Sequence, residues 1–163
     1  MNRFKTIALW AACIIGICYL ASAAAYLAGY RTYRFPTRTM EPTIRKNERA
    51  IGRLSERYRD HIARFDVAIF RDPRGSGEIY AKRIVGLPGE HITTSAQGVT
   101  INGRGLNLPA AVSVSGLQLK TCDLVIPTDT VFILGDHTEN SLDSRYLGPI
   151  RTADVIGYMV FKK

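Results

Sequence analysis

The chain begins with one long apolar run and then changes its period. Residues 6–30 carry no charge. At a rise of ~1.5 Å per residue, a run of that length crosses the roughly 30 Å hydrocarbon core of a bilayer as a single helix. Trp10 falls near one interface, and Tyr26 and Tyr30 fall toward the other. Beyond residue 64 the apolar stretches become short, and Gly, Pro, Asn and Asp separate them. That spacing predicts strands joined by turns, not long amphipathic helices. Strands are expected at 50–54, 66–70, 78–85, 99–101, 116–120, 131–134 and 155–161. Asn102-Gly103 supplies a tight hairpin turn, and Leu87-Pro88-Gly89-Glu90 a turn that ends the 78–85 strand. Residues 55–63 read as either a short helix or a charged loop. The expected fold is mainly β: a compact antiparallel domain over 31–163 on one N-terminal transmembrane helix at 6–30. Residues 1–5 are expected as a cytoplasmic N-terminus, and no linker is long enough to divide the β domain.

A cleavable signal peptide competes with the anchor. Arg3 and Lys5 would form its basic region, and Ala21-Ser22-Ala23 has the small-x-small pattern of a cleavage site. The apolar run continues past that point through Tyr26 and Leu27, farther than a signal peptide needs, which favours the anchor.

Charge refines this picture. The 163 residues carry a net +8, and residues 31–64 hold ten Lys/Arg against four Asp/Glu. Residues 65–163 hold ten of each. The basic excess therefore sits just after the apolar segment, where anionic membrane lipids are its natural partner. A nucleic-acid partner is not expected, because no aromatic-rich basic motif accompanies the charge. Counting charges alone would hold Arg31, Arg34 and Arg38 on the cytoplasmic side, against Arg3 and Lys5 at the other end. Of the three cysteines, Cys13 and Cys18 lie in the apolar run. Cys122 alone cannot make an internal disulfide, and no metal-ligand spacing occurs.

Two segments carry the chemistry. Thr37-Arg38-Thr39-Met40-Glu41-Pro42-Thr43-Ile44 offers hydroxyls on a bend. Tyr80-Ala81-Lys82-Arg83-Ile84-Val85-Gly86-Leu87-Pro88-Gly89-Glu90 sets a lysine in an apolar strand. Lysine is usually a surface residue. Strand neighbours face opposite ways, however, so either Lys82 or Arg83 must point inward. A buried amine without a counter-charge loses its proton more easily and can serve as a base for a hydroxyl nucleophile. His61 and His91 have no evident partners, so a serine–histidine arrangement is the poorer account.

Together with Gly135-Asp136-His137-Thr138-Glu139-Asn140-Ser141-Leu142-Asp143-Ser144-Arg145-Tyr146-Leu147-Gly148, these segments resemble bacterial signal peptidase I, a membrane-bound Ser/Lys endopeptidase family. The family pattern is S-x-S-M-x-P-T, then Y-x-K-R-x-x-G-L-P-G, then G-D-N-x-x-N-S-x-D-S-R. The resemblance implies a membrane endopeptidase that removes signal peptides from exported preproteins, with its catalytic domain on the extracytoplasmic side of the cell membrane and no cofactor or metal. It implies Thr39 as nucleophile where the family has serine, and Lys82 as general base. Thr37 and the Thr39 N–H would form the oxyanion hole, and Ser141 would orient the lysine. Gly135, Asp136, Asp143, Arg145 and Arg83 would hold the loop, with Arg83 facing Asp136 and Asp143 paired to Arg145. His137 stands in place of the family's asparagine and is expected to stabilise the loop without moving protons. Met40, Pro36, Ile79, Tyr80 and Ala81 would line the substrate groove, with residues 34–37 and 79–81 as the edges that an extended substrate joins. Threonine in place of serine supports one alternative, a catalytically impaired paralogue that binds precursors; the short length permits another, a peptidase dedicated to a pilin or conjugation substrate. Residues 85–130 resemble the family's minor, variable part, too short for a large inserted cap.

Overall fold

The computed structural model describes residues 3–54 and 62–160. The helix α1 runs over Arg3–Leu27, and its Lys5–Leu27 segment, with a mean hydropathy of 2.1, is long and apolar enough to cross a membrane. It ends short of the expected boundary, because Tyr30 already belongs to the first strand. Only Ala28 and Gly29 separate helix and sheet. That joint is tied. The Leu54 N–H donates to the Gly29 carbonyl at 2.8 Å, and the Arg31 guanidinium donates to the carbonyls of Tyr26 and Tyr30 while lying 3.6 Å above the Tyr26 ring. A cation at the end of the helix satisfies carbonyls that the last turn leaves open.

The remainder is two antiparallel sheets. The strands are β1 (Tyr30–Arg34), β2 (Arg49–Leu54), β3 (Val67–Arg71), β4 (Ile79–Gly86), β5 (His91–Ser95), β6 (Gly98–Ile101), β7 (Arg104–Gly105), β8 (Cys122–Val125), β9 (Thr130–Leu134), β10 (Ile150–Arg151) and β11 (Val155–Met159). The large sheet has the order β1-β2-β11-β3-β4-β9-β10, and the small one β7-β6-β5-β8. The mainly β expectation holds. Six of the seven predicted strands appear with shifted ends. The 155–161 strand is described as far as Met159, and the 55–63 expectation falls largely outside the described residues.

Strand alternation sorts the core onto two faces. Ala68, Phe70, Ile84, Val131, Ile133, Ile150 and Val155 fill one side of the large sheet. Val67, Ile69, Ala81 and Met159 fill the other, beneath Phe35, Met40 and Ile44 of the segment after β1. A third cluster, with Val85, Phe132 and Leu134 from the large sheet, Ile92 and Val99 from the small one, and Leu117 and Ile126 from the chain flanking β8, joins the two. Each Val, Leu, Ile, Phe or Met among them contributes about 1.5–3 kcal/mol when fully buried.

The 98–105 hairpin turns at Asn102 and Gly103, with φ of 50° and 76°, the two left-handed residues that this tight turn needs. Segment 116–120 departs from expectation. It forms a 3₁₀ turn at Leu117–Leu119 instead of a strand. The Gly116 carbonyl accepts from Arg145 and its N–H donates to Thr138 Oγ1, so side chains and not a strand neighbour satisfy that backbone.

Candidate active site

The bend after β1 meets β4 at two hydroxyl-bearing residues and a lysine. Lys82 Nζ donates to Thr39 Oγ1 at 2.6 Å, across 43 residues of sequence. Lys82 is 1% exposed, and Ala68 is its partner in β3. Burial pushes its amine down to about 8; Asp143 and Asp136 pull the other way, and Arg145 adds to the depression. The desolvation cost outweighs both carboxylates because neither is the amine's direct partner. Asp136 and Asp143 are each taken by an arginine. Lys82 therefore spends a substantial fraction of its time neutral near pH 8, a base within bonding distance of an alcohol.

Thr37 Oγ1 lies 3.2 Å from Thr39 Oγ1 and is exposed. Two anchors fix the bend itself. Met40 and Ile44 are buried against the sheet, and the Thr39 carbonyl accepts the His137 N–H at 3.1 Å. That second contact docks the loop after β9 on the segment that carries Thr39. Gly135 makes it possible: a Cβ there would lie 2.5 Å from the Thr39 carbonyl oxygen and 2.2 Å from Ser141 Oγ. No other residue type permits so close an approach.

Arg83, next to Lys82, turns the opposite way. Its guanidinium grips Asp136 in a fork, with Nε to Oδ1 at 2.8 Å and a second N–H to Oδ2 at 2.6 Å. It also donates to the Phe65 carbonyl and to Thr43 Oγ1, while the Thr43 hydroxyl donates to Asp136. This buried cluster ties β4, the loop after β9 and the bend together around the dyad. The sequence reading gave Thr43 no role. It is legible only as part of the Met-Glu-Pro-Thr run, since an isolated threonine has no signature.

Asp143 and Arg145 form a second knot, each side chain fully buried. Asp143 caps α2 (Ser144–Leu147), accepts from the Gly135 N–H at 3.0 Å and pairs with Arg145 Nε at 2.9 Å. Arg145 then donates to the carbonyls of Gly116 and Thr138, both at 2.6 Å. The expected Ser141–Lys82 bond is not made. Ser141 Oγ is buried without a hydrogen-bond partner, in a cavity that Lys82 also lines. The lysine's bond goes to Thr39 instead. His91 does have a partner, contrary to expectation: its Nε2 lies 2.6 Å from Asp123 across the β5–β8 pair. His61 lies outside the described residues. His137 contributes its backbone to Thr39 and its ring approaches Glu139 at 4.0 Å.

A groove of about 470 Å³ leads to Thr39, with Tyr33, Phe35, Pro36, Met40, Ile79 and Ala81 among its walls. β1 is an outer strand of the sheet, and residues 79–82 of β4 pair only with β3, since β9 joins at Arg83. The groove thus runs between unpaired strand edges. On the β1 side the strand ends at Arg34; the expected edge at 35–37 is irregular chain, where the Phe35 N–H bonds the Glu48 carbonyl. Tyr80 lines both this groove and the cavity beyond Thr39 that holds Ser141, Leu142 and Tyr146. Among the described residues no cluster of His, Cys, Asp or Glu could hold a metal ion.

An apolar helix leading into a β domain, with a hydroxyl and a buried amine at the end of a groove, defines a class of membrane-tethered hydrolases. The chain belongs to the signal peptidase family, peptidase S26, which it matches over residues 7–162. It is 31% identical to signal peptidase I V of Bacillus subtilis over 77% of this chain and 80% of that protein. It is 28% identical to signal peptidase I of Leptolyngbya laminosa over 99% of this chain and 78% of that one. A crystal structure of a signal peptidase I from Enterococcus faecalis V583 superimposes with a TM-score of 0.51 and 32% identity, covering 61% of this chain and 97% of its own.

Proposed function

We propose that this chain is a signal peptidase I-type endopeptidase that removes signal peptides from preproteins, with Thr39 as nucleophile and Lys82 as general base. The observation that carries the reading is the 2.6 Å contact between a buried lysine amine and the Thr39 hydroxyl. Thr39 Oγ1 attacks the scissile carbonyl as Lys82 takes its proton. The Thr37 hydroxyl and the Thr39 N–H face the resulting oxyanion. Collapse breaks the C–N bond, Lys82 returns the proton to the leaving amine, and water then releases the acyl group by the same route. Once protonated, Nζ has donors to spare beyond its bond to Thr39. The unpartnered Ser141 oxygen in the shared cavity is the acceptor available to steady it.

The substrate lies extended between the two free edges, where its backbone completes the ladder. Met40, Phe35 and Ala81 give the groove an apolar lining, on which small side chains before the cleaved bond would rest. The catalytic domain sits on the extracytoplasmic side of the cell membrane, held by α1, and its basic margin faces anionic lipid.

The test uses the full chain in detergent with a preprotein substrate. Thr39→Ala and Lys82→Ala are expected to lose cleavage by about a thousandfold or more, while Thr39→Ser retains it. Cleavage by Thr39→Ser but none by the natural chain would make the natural chain a precursor-binding protein and overturn the assignment.

A further inference from the structure

The loop after β9 carries three carboxylates, and one of them is not needed to hold it. Asp136 and Asp143 are buried, and each is taken by an arginine. Glu139 is 52% exposed, and the ion pairs among the described residues give it only the His137 ring, at 4.0 Å. Its backbone is nevertheless firmly placed. It sits in the 3₁₀ turn Thr138–Asn140, where buried Thr138 donates through Oγ1 to the Ser113 carbonyl at 2.6 Å and accepts the Gly116 N–H at 3.0 Å. Gly116 packs so closely that a Cβ there would lie 2.2 Å from the Glu139 backbone nitrogen. The pinned turn makes Glu139 part of the wall of a cavity of about 360 Å³ beyond Thr39. Leu142 and Tyr146, 45% and 47% exposed, give that cavity apolar surface that the core does not use. Lys82 is the other charged residue lining it, but it is 1% exposed and turned onto Thr39 Oγ1. The charge this cavity offers to a solvent-borne chain is therefore that of Glu139.

We propose that this cavity receives the chain that follows the cleaved bond, and that Glu139 selects a lysine or arginine within its first two residues. The proposal rests on the peptidase reading above. Lys82 sets the direction. The groove between the strand edges and this cavity share Thr37, Thr39 and Tyr80, but of the two Lys82 lines only the cavity. The leaving amine must reach Lys82 to regain a proton. The segment that this amine begins therefore lies on the cavity side of Thr39, and the signal-peptide side fills the groove. Successive residues of an extended chain face opposite ways, so one of the first two turns its side chain into the cavity. A lysine or arginine there lays its methylene stem on Leu142 and Tyr146 and brings its cationic head to the carboxylate. An acidic side chain meets a like charge instead and is disfavoured. Half-exposed, the pair contributes a modest factor, which makes Glu139 a selector among precursors and not a requirement for cleavage. The family pattern leaves position 139 open, so this preference belongs to this chain and not to the family at large.

Peptides spanning one cleavage site, with Lys, Ala or Glu at the first or the second position after the cut bond, test this on the full chain in detergent. At one of those positions kcat/KM is expected to be about fivefold higher for Lys than for Glu, and raised salt should shrink that ratio. Glu139→Gln should bring the ratio close to one, and Glu139→Lys should invert it. Each ratio is taken within one protein, so a general loss of folding or rate cancels. Binding of the same peptides, fluorescently labelled, to the inactive Lys82→Met protein reads the selection without any chemistry. The Lys peptide is expected to bind about fivefold tighter than the Glu peptide, and the difference should vanish when Glu139→Gln is added. A ratio near one at both positions, in cleavage and in binding, would overturn the proposal. So would a ratio that persists in Glu139→Gln, which places the selection on other residues. If the natural chain cuts none of the peptides, the peptidase reading fails, and the binding ratios still decide for or against Glu139.

Discussion

If Lys82 is the base proposed above, burial of this one side chain acts on activity and on stability in opposite directions. Its amine falls from an ordinary 10.5 to about 8 because burial penalises the ammonium. As the base must be neutral, kcat/KM is expected to rise with pH through about 8 and level off above it, measured with a peptide whose own groups do not titrate there. A flat profile across that range would remove Lys82 from the proton transfer. For stability the sign is as follows. Between about 8 and 10.5 the unfolded chain binds the proton that the folded chain has released, so stability increases with pH across that window. Below it the folded state bears the full penalty, about 3 kcal/mol at 1.36 kcal/mol per pKa unit. Lys82→Met should therefore abolish cleavage and yet raise the melting temperature at pH 7, with the gain fading by about pH 10.5. An equal or lower melting temperature at pH 7 would contradict the burial argument. Lys82 was legible in the sequence through the motif resemblance; strand alternation separates it from Arg83 but does not choose between them, and the fold buries both on opposite faces. Thr43 was not, since its value lies in an Arg83–Asp136 pair that only the fold assembles.

Among the elements, the loop from Gly135 to Leu147 depends on a pair that solvent does not reach. Asp143 and Arg145 are buried together and share the Gly135 N–H and the carbonyls of Gly116 and Thr138. Removing one partner strands the other as a buried charge, which costs about 3–5 kcal/mol. Arg145→Met is expected to lower stability by that amount, as read by chemical denaturation, and to weaken cleavage because the loop that presents the His137 N–H to Thr39 loses its support. Replacing both residues with apolar side chains should recover part of the loss; two additive losses would mean the pair is not coupled. The motif showed these residues, but it could not show Gly116 as their partner. Residues 116–120 look like a strand locally, and only the distant arginine and Thr138 make them a 3₁₀ turn. β5 and β8 escaped for a related reason. Buried Thr94, whose hydroxyl accepts the Cys122 N–H, masks the apolar alternation that a sequence reader counts. β1 was partly hidden inside the apolar run, where Tyr30 looked like an interfacial residue and not a strand's first position.

For the molecule as a whole, the decisive feature is a large sheet that leaves edges unpaired where a ladder could have closed. Exposed edges invite association with stray strands, and proteins usually cover or charge them. Here the outer edge of β1 and the 79–82 edge of β4 border one groove that ends at Thr39. The small sheet, packed through Val85 and Phe132 on the far part of β4 and β9, leaves this opening uncovered. An extended substrate filling the groove must then hydrogen-bond to backbone groups that no strand now satisfies, whereas β3 and β11, paired on both sides, gain nothing. Hydrogen exchange distinguishes this from binding elsewhere. A signal-peptide segment bound to the inactive Lys82→Met protein should slow exchange in residues 32–37 and 79–82, leaving β3, β11 and the small sheet unchanged. Protection centred instead on a second cavity, lined by residues between Ser95 and Val114 on and beside the small sheet, would place the substrate there and detach the groove from Thr39 and Lys82. Slowing in the groove with none at 79–82 would mean that β1 alone receives the peptide, and that β4 supplies only the lysine.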